Sequence, residues 1–66
     1  MTDAIMLKHL GRNVRLVMVN QIQYTGLLVA SSPTDPTANY AIEISPGRFV
    51  SIPHANSVAD IKLNEP

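Results

Sequence analysis

Apolar and polar positions alternate with a period of two over much of this chain. Val14, Leu16 and Met18 line one face of an extended segment, and the residues between them form a mixed face. Asn20 and Gln21 interrupt the run, and the alternation resumes beyond them. Because asparagine tolerates left-handed backbone geometry, this pattern predicts a hairpin of two strands with a tight turn at Asn20 and Gln21.

Gly26 stands inside the second strand of this hairpin. A glycine has no side chain to pack, and within a strand it usually marks a sharp bend, a bulge or a close backbone approach. Small barrels need such a bend, so this residue favours a strongly curved sheet.

The rest of the chain predicts one helix and three more strands. Thr2 and Asp3 are typical of a helix start and Gly11 of a helix end, which predicts a helix over about residues 3–10. Its apolar face is predicted to contain Ile5, Met6 and Leu10. Two prolines in the following loop predict that the second strand ends near Ser31 or Ser32. The later elements are strands at 40–44, 49–52 and 58–62, a turn at Pro46 and Gly47, a connector at 53–56 and a frayed tail at 63–66.

Five short strands within 13–62, joined mostly by tight turns, favour a single all-β domain over residues 1–66. We expect a small, strongly bent open barrel of the SH3-like kind with a short N-terminal helix. A polyproline-binding barrel needs an aromatic-lined groove, and Tyr24, Tyr40 and Phe49 are the only aromatic residues. Tyr24 and Phe49 lie in apolar strand patterns, so core packing is the favoured interpretation for both.

Length and composition favour self-association. A chain of 66 residues buries only about 60% of the surface that its unfolded form exposes. It has no cysteine for a disulfide or thiolate site, and its two separate histidines do not make up a zinc site. We therefore expect a homo-oligomer with neither a metal nor a cofactor.

The formal net charge of +0 at pH 7 argues against strong nonspecific binding of polyanions. No apolar run approaches the roughly 18 residues that a membrane helix needs, so we expect a cytoplasmic protein with no membrane partner. Catalysis is not expected either, because the carboxylates are scattered and His9 and His54 lie in different elements.

Several short motifs, in order and spacing, resemble the Sm and Sm-like family. The run from Leu10 to Leu28 is similar to the first motif of that family. Within it, VNQIQYTG at 19–26 is similar to VNGIKLQG of the bacterial, Hfq-like branch, and Pro53-His54-Ala55 falls where that branch carries Lys-His-Ala. The resemblance implies a helix over a bent five-stranded sheet, with subunits closing into a ring by pairing the fourth strand of one with the fifth strand of the next.

The resemblance also implies that the ring binds single-stranded RNA, in RNA processing or post-transcriptional regulation, with unstacked bases held at its inner rim. The family's first loop often has the pattern Asp-x-aromatic-x-Asn, and here Thr37 takes the place of the aromatic residue. The implied inner-rim residues are Asp35, Thr37, Asn39, Arg48 and His54. For Asn39 and His54, a purely structural role in turns is the competing interpretation.

A second RNA-binding face, opposite the first, is implied where the first strand ends and the second begins. Its residues here are Gln21, Gln23, Tyr24 and Thr25. Barrel packing is the competing interpretation for Tyr24. An alternative function also stays open, because Thr37 and Pro53 replace an aromatic residue and a lysine. In this alternative, the ring is an assembly or protein-interaction scaffold with weak or no RNA binding.

Overall fold

The computed structural model describes residues 1–64 and contains one short helix followed by five strands. The elements are α1 (Asp3–Lys8), β1 (Asn13–Met18), β2 (Gln23–Val29), β3 (Tyr40–Ser45), β4 (Arg48–Ile52) and β5 (Val58–Leu63), with a 3₁₀ turn at Ala55–Ser57 before β5. The expected mostly β fold with an N-terminal helix is confirmed.

Several element boundaries differ from the prediction, and β3 and β4 are each one residue longer, reaching Ser45 and beginning at Arg48. The helix ends at Lys8 rather than near residue 10, because the His9 N–H bonds back to the Met6 carbonyl and closes a turn. The second strand ends at Val29, before the predicted end at Ser31 or Ser32. Leu63, predicted in the tail, belongs to β5, and Glu65 and Pro66 of that tail lie outside the described residues.

The strands form one antiparallel sheet in the order β4-β3-β2-β1-β5. β4 and β5 are therefore its two edges. Four strand spacings would separate these edges by about 19 Å in a flat sheet. The connector from β4 to β5 is short and contains a 3₁₀ turn, which advances only about 2 Å per residue. The sheet must therefore curl, and a backbone hydrogen bond from Val19 N to Ser57 O (3.0 Å) ties the first hairpin to this connector.

Gly26 lies where β2 changes its main partner. β2 pairs with β1 from Gln23 to Leu27 and with β3 from Leu27 to Val29. A Cβ atom on Gly26 would overlap the backbone carbonyl of Glu43 and lie 3.1 Å from the Cα atom of Ile44. The close backbone approach expected from the sequence is confirmed.

The core fills the space between α1 and the inner face of the curled sheet. Its fully buried large side chains are Met6, Val14, Leu16, Leu28, Ile42, Ile52 and Val58. Tyr24 packs against this core as expected, but Phe49 lies opposite Glu43, on the face that points away from it. Of the predicted apolar face, Met6 is buried on α1 and Ile5 is 37% exposed there, whereas Leu10 lies beyond the end of the helix and is partly buried.

The first hairpin turns at Asn20 and Gln21 as predicted, but the left-handed residue is Gln21 rather than Asn20. Gln21 has φ +73°, the left-handed region that glycine prefers. Asn20 instead caps the turn with its side chain, since its Oδ1 accepts a hydrogen bond from Ile22 N (3.1 Å).

Replacing Gln21 by glycine is expected to raise the free energy of unfolding by about 0.5 kcal/mol. Glycine removes the free-energy cost of the left-handed backbone at this position. Part of that gain is offset because glycine has more conformational entropy in the unfolded chain. Urea unfolding measures the change, with Gln23→Gly as the control that should destabilise because Gln23 lies in regular strand. A loss of stability in Gln21→Gly would contradict this assignment of strain.

Candidate nucleic-acid interface

Asn39 and His54, predicted from separate loops, line one cleft of about 420 Å³. Tyr40 pairs with Ile52 at the end of the β3–β4 ladder, so the residue before β3 and the connector after β4 meet there. The side chains of Asn39 and His54 are both exposed. The other lining residues are Met1, Thr2, Asp3, Ala55 and Asn56.

The cleft combines two amides, an imidazole and a carboxylate. Asn39 and Asn56 each offer amide donors and an acceptor, and the His54 ring offers a further polar edge and a flat face. Such a set can hydrogen-bond the Watson–Crick edge of an unstacked base and stack upon it. Among residues 1–64, no lysine or arginine lines the cleft, so it is suited to bases rather than to phosphates.

Asp3 is held at this cleft by Tyr40. The Tyr40 hydroxyl donates a hydrogen bond to Asp3 Oδ1 (2.6 Å), which links α1 to the start of β3. That hydrogen bond, together with burial and the carboxylate's charge, raises the pKa of the Tyr40 phenol. Sequence analysis did not assign Asp3 to the site, because only the folded chain brings the helix start beside the β4–β5 connector.

Asp35 and Thr37 do not line the cleft with Asn39 and His54. Their polar groups bond to one another, since the Thr37 N–H and hydroxyl both donate to Asp35 Oδ1 (3.0 and 2.7 Å). Ala38 N also bonds to the Asp35 carbonyl (3.1 Å), which completes a turn. The two residues therefore shape the loop between β2 and β3, and their side chains are already engaged there.

A chain of hydroxyl groups fastens the same loop to β4. The Ser51 hydroxyl donates to Ser32 Oγ (3.1 Å), and Ser32 and Thr34 share a further hydrogen bond (3.0 Å). Ser32 is buried and bonded although it lies in a proline-rich segment. The sequence carried no sign of this role, because serine is common in any exposed loop.

Replacing Thr37 by valine is expected to raise the pKa of Asp35. Hydrogen bonds from the Thr37 hydroxyl and N–H are the main causes that hold this pKa below 3.8 in the folded chain. Because the pKa of Asp35 is lower in the folded chain than in the unfolded chain, its ionisation stabilises the fold at pH values above the unfolded-state pKa. This stabilisation disappears as the pH falls through the folded-state pKa. NMR titration of the carboxyl carbon measures the shift. Thr34→Val, which removes a hydroxyl bonded to Ser32, should leave the Asp35 pKa in place.

Arg48 is not brought together with the other predicted inner-rim residues. It begins β4 opposite Ser45, at the other end of the strand from the connector that carries His54. The four steps from Arg48 to Ile52 correspond to about 13 Å of extended strand. Arg48 therefore lies at the second hairpin and supplies no charge to the cleft.

The residues predicted for the second RNA-binding face lie on two sides of β2. Gln23 and Thr25 are exposed on the outward side, whereas Tyr24 lies between them and packs against the core. Gln21 is exposed at the tip of the hairpin. The structure thus groups Gln23 with Thr25, and strand alternation separates both from the Tyr24 ring.

Within residues 1–64, no helix is long and apolar enough to cross a bilayer. The same part of the chain has no group of three or more histidine, aspartate or glutamate side chains placed to hold a metal ion. Comparisons of the chain with protein-family models, curated proteins and solved structures find no match.

Proposed function

We propose that this chain is an Sm-like protein that closes into a homo-oligomeric ring and binds single-stranded RNA, in RNA processing or post-transcriptional regulation. The observation that carries the proposal is the cleft shared by Asn39 and His54. These are two residues that the family resemblance assigns to the RNA-binding rim, and they come from loops that are distant in the sequence.

The sheet order supports the ring. β4 and β5 are the two edge strands, and each has one side without a partner strand in the described chain. Pairing β4 of one copy with β5 of the next satisfies both edges, and a repeated contact of this head-to-tail kind closes when its rotation permits. Leu63, 53% exposed at the end of β5, would be covered by a neighbouring copy.

The chemistry of the cleft supports recognition of single strands. Its amides and imidazole suit base edges and base faces, which a duplex conceals. The absence of lysine and arginine from its lining means that bases, rather than phosphates, supply the affinity there. The ring repeats this cleft once per subunit around its rim, so that successive bases of one strand can each enter a copy.

Fluorescence anisotropy tests this function directly. Labelled uridine-rich, adenine-rich and duplex RNAs of equal length are titrated with the protein at two salt concentrations. We expect saturable binding of a single strand with a base preference, and weak binding of the duplex. Absence of binding to every RNA at low salt would contradict the proposal.

A protein-interaction scaffold is the second candidate function. The observation that favours it is Thr37, which stands in place of an aromatic residue in the loop before Asn39 and whose N–H and hydroxyl are bonded to Asp35. In this case the oligomer would form while no RNA bound, and the same titrations distinguish the two functions.

A further inference from the structure

Two cations lie directly opposite each other on the outward face of the sheet. Arg15 of β1 pairs with Lys62 of β5 on one side and with Thr25 of β2 on the other. Directly opposite residues of antiparallel strands project from the same face, with Cβ atoms about 4.5–5.5 Å apart. These three exposed side chains therefore form a row across three strands, which we call the outward row.

Within residues 1–64, carboxylates neutralise the outward row only weakly. Lys62 Nζ lies 3.9 Å from Asp60 Oδ2, and the two side chains are 75% and 52% exposed, so this contact is weak. No carboxylate of residues 1–64 forms an ion pair with Arg15. Like charges placed directly opposite each other destabilise a sheet. Two of the chain's five lysines and arginines therefore occupy directly opposite positions, an arrangement that opposes sheet stability.

We propose that the outward row binds the phosphodiester backbone of single-stranded RNA. A phosphate between Arg15 and Lys62 would neutralise both, and the guanidinium can donate two parallel hydrogen bonds to its oxygens. Thr25 adds a hydroxyl group, and Gln23, two residues earlier on the same face of β2, adds an amide group. Asp60, which pairs with Val17, places a carboxylate at the next position of the same face of β5 and bounds the cationic patch there.

This inference rests on the proposed function because it takes the same ligand, but it uses a different surface. The cleft of Asn39 and His54 has no lysine or arginine, and neither cation of the outward row lines it. The outward row would hold the backbone, which carries no sequence information, whereas the cleft would contact bases. The resemblance assigns Gln23 and Thr25 to a second RNA-binding face. The structure places the cations Arg15 and Lys62 beside them, and the resemblance does not include these two residues.

Three matched variants test the outward row. Arg15→Gln and Lys62→Gln each remove one of its charges, and Lys8→Gln removes one from α1. Binding of fluorescein-labelled oligouridine and oligoadenine is followed by anisotropy over a range of salt concentrations. Each variant in the outward row should reduce the slope of log K against log salt by about 0.7, equally for both oligonucleotides, and Lys8→Gln should not.

A second measurement excludes loss of fold as the cause. Arg15→Gln removes a like-charge pair, so its melting temperature should not fall and should rise by up to about 4 °C. If Arg15→Gln and Lys62→Gln gave the same slope of log K against log salt as Lys8→Gln, the inference would be overturned. If Asn39→Ala with His54→Ala abolished binding while those slopes stayed unchanged, only the outward row would be wrong. No binding by the unmodified chain would overturn both this inference and the proposed function.

Discussion

Replacing Gly26 by alanine is expected to lower the free energy of unfolding by about 3 kcal/mol. The added Cβ would overlap the Glu43 carbonyl, which is backbone and has no rotamer to change. Moving it requires β2 and β3 to separate where Leu27 pairs with Glu43. For a domain of this size such a loss removes much of the total stability, so the variant should be partly unfolded at 25 °C. Urea unfolding followed by circular dichroism measures the loss.

Gly47→Ala is the matched control for this substitution. Gly47 has φ +77° at the turn between β3 and β4, but a Cβ there has nothing within 4 Å. Its expected cost is the left-handed backbone less the extra entropy of glycine in the unfolded chain, about 0.5 kcal/mol. Equal losses in the two variants would contradict the close approach of β2 to β3 as the reason for glycine at position 26.

Replacing both Asn39 and His54 by alanine is expected to weaken binding of single-stranded RNA by at least about 30-fold, equivalent to about 2 kcal/mol. Stacking on the His54 ring and the hydrogen bonds of the Asn39 amide are both removed from the cleft, and alanine replaces neither. Both side chains are exposed and outside the core, so the melting temperature and the oligomer mass should stay unchanged. Anisotropy titration with oligouridine gives the affinity.

His9→Ala with Asn64→Ala is the matched control for this pair. It removes the same two residue types from positions that do not line the cleft. We expect it to bind RNA within a factor of about 2 of the unmodified chain, the scale of a change in a side chain that touches no ligand. Equal affinities of the cleft variant and the unmodified chain would remove Asn39 and His54 from the site.

Local periodicity was sufficient to predict most of the fold. The alternation around Val14 and Leu16 predicted β1, and the interior position of Gly26 predicted a bend, a bulge or a close approach, of which the structure shows the close approach. Both features are dictated by neighbours in sequence and by sterics that act on one residue. The predicted element boundaries were less accurate. The end of the helix, for example, depends on which carbonyl accepts the hydrogen bond of the His9 N–H.

Contacts between distant segments were not predictable in the same way. The burial of Ser32 depends on Ser51, and the position of Asp3 depends on Tyr40, each of which lies in a different element. The pairing of Arg15 with Lys62 needs the β1–β5 register, which shifts at Val17 and Met18. A shift of one residue changes the face of every later side chain, so local patterning alone leaves such a pair undetermined.

The candidate site was predicted in part. Asn39 and His54 share a cleft, but Arg48 lies at the far end of β4 and Tyr24 on the inner face of β2. Arg48 was grouped with the inner rim by resemblance in composition, which carries no information about strand ends. Tyr24 was grouped with Gln23 and Thr25 by proximity in sequence, although adjacent residues of a strand face opposite sides.

Native mass spectrometry of the chain mixed with a short oligouridine tests the ring and its RNA binding in one spectrum. We expect one dominant assembly, at an integer multiple of the 7.2 kDa chain mass, that shifts by the mass of one bound RNA strand. The cleft variant of Asn39 and His54 should give the same assembly without RNA. A 7.2 kDa monomer that carries no RNA at micromolar concentration would contradict both the ring and its function.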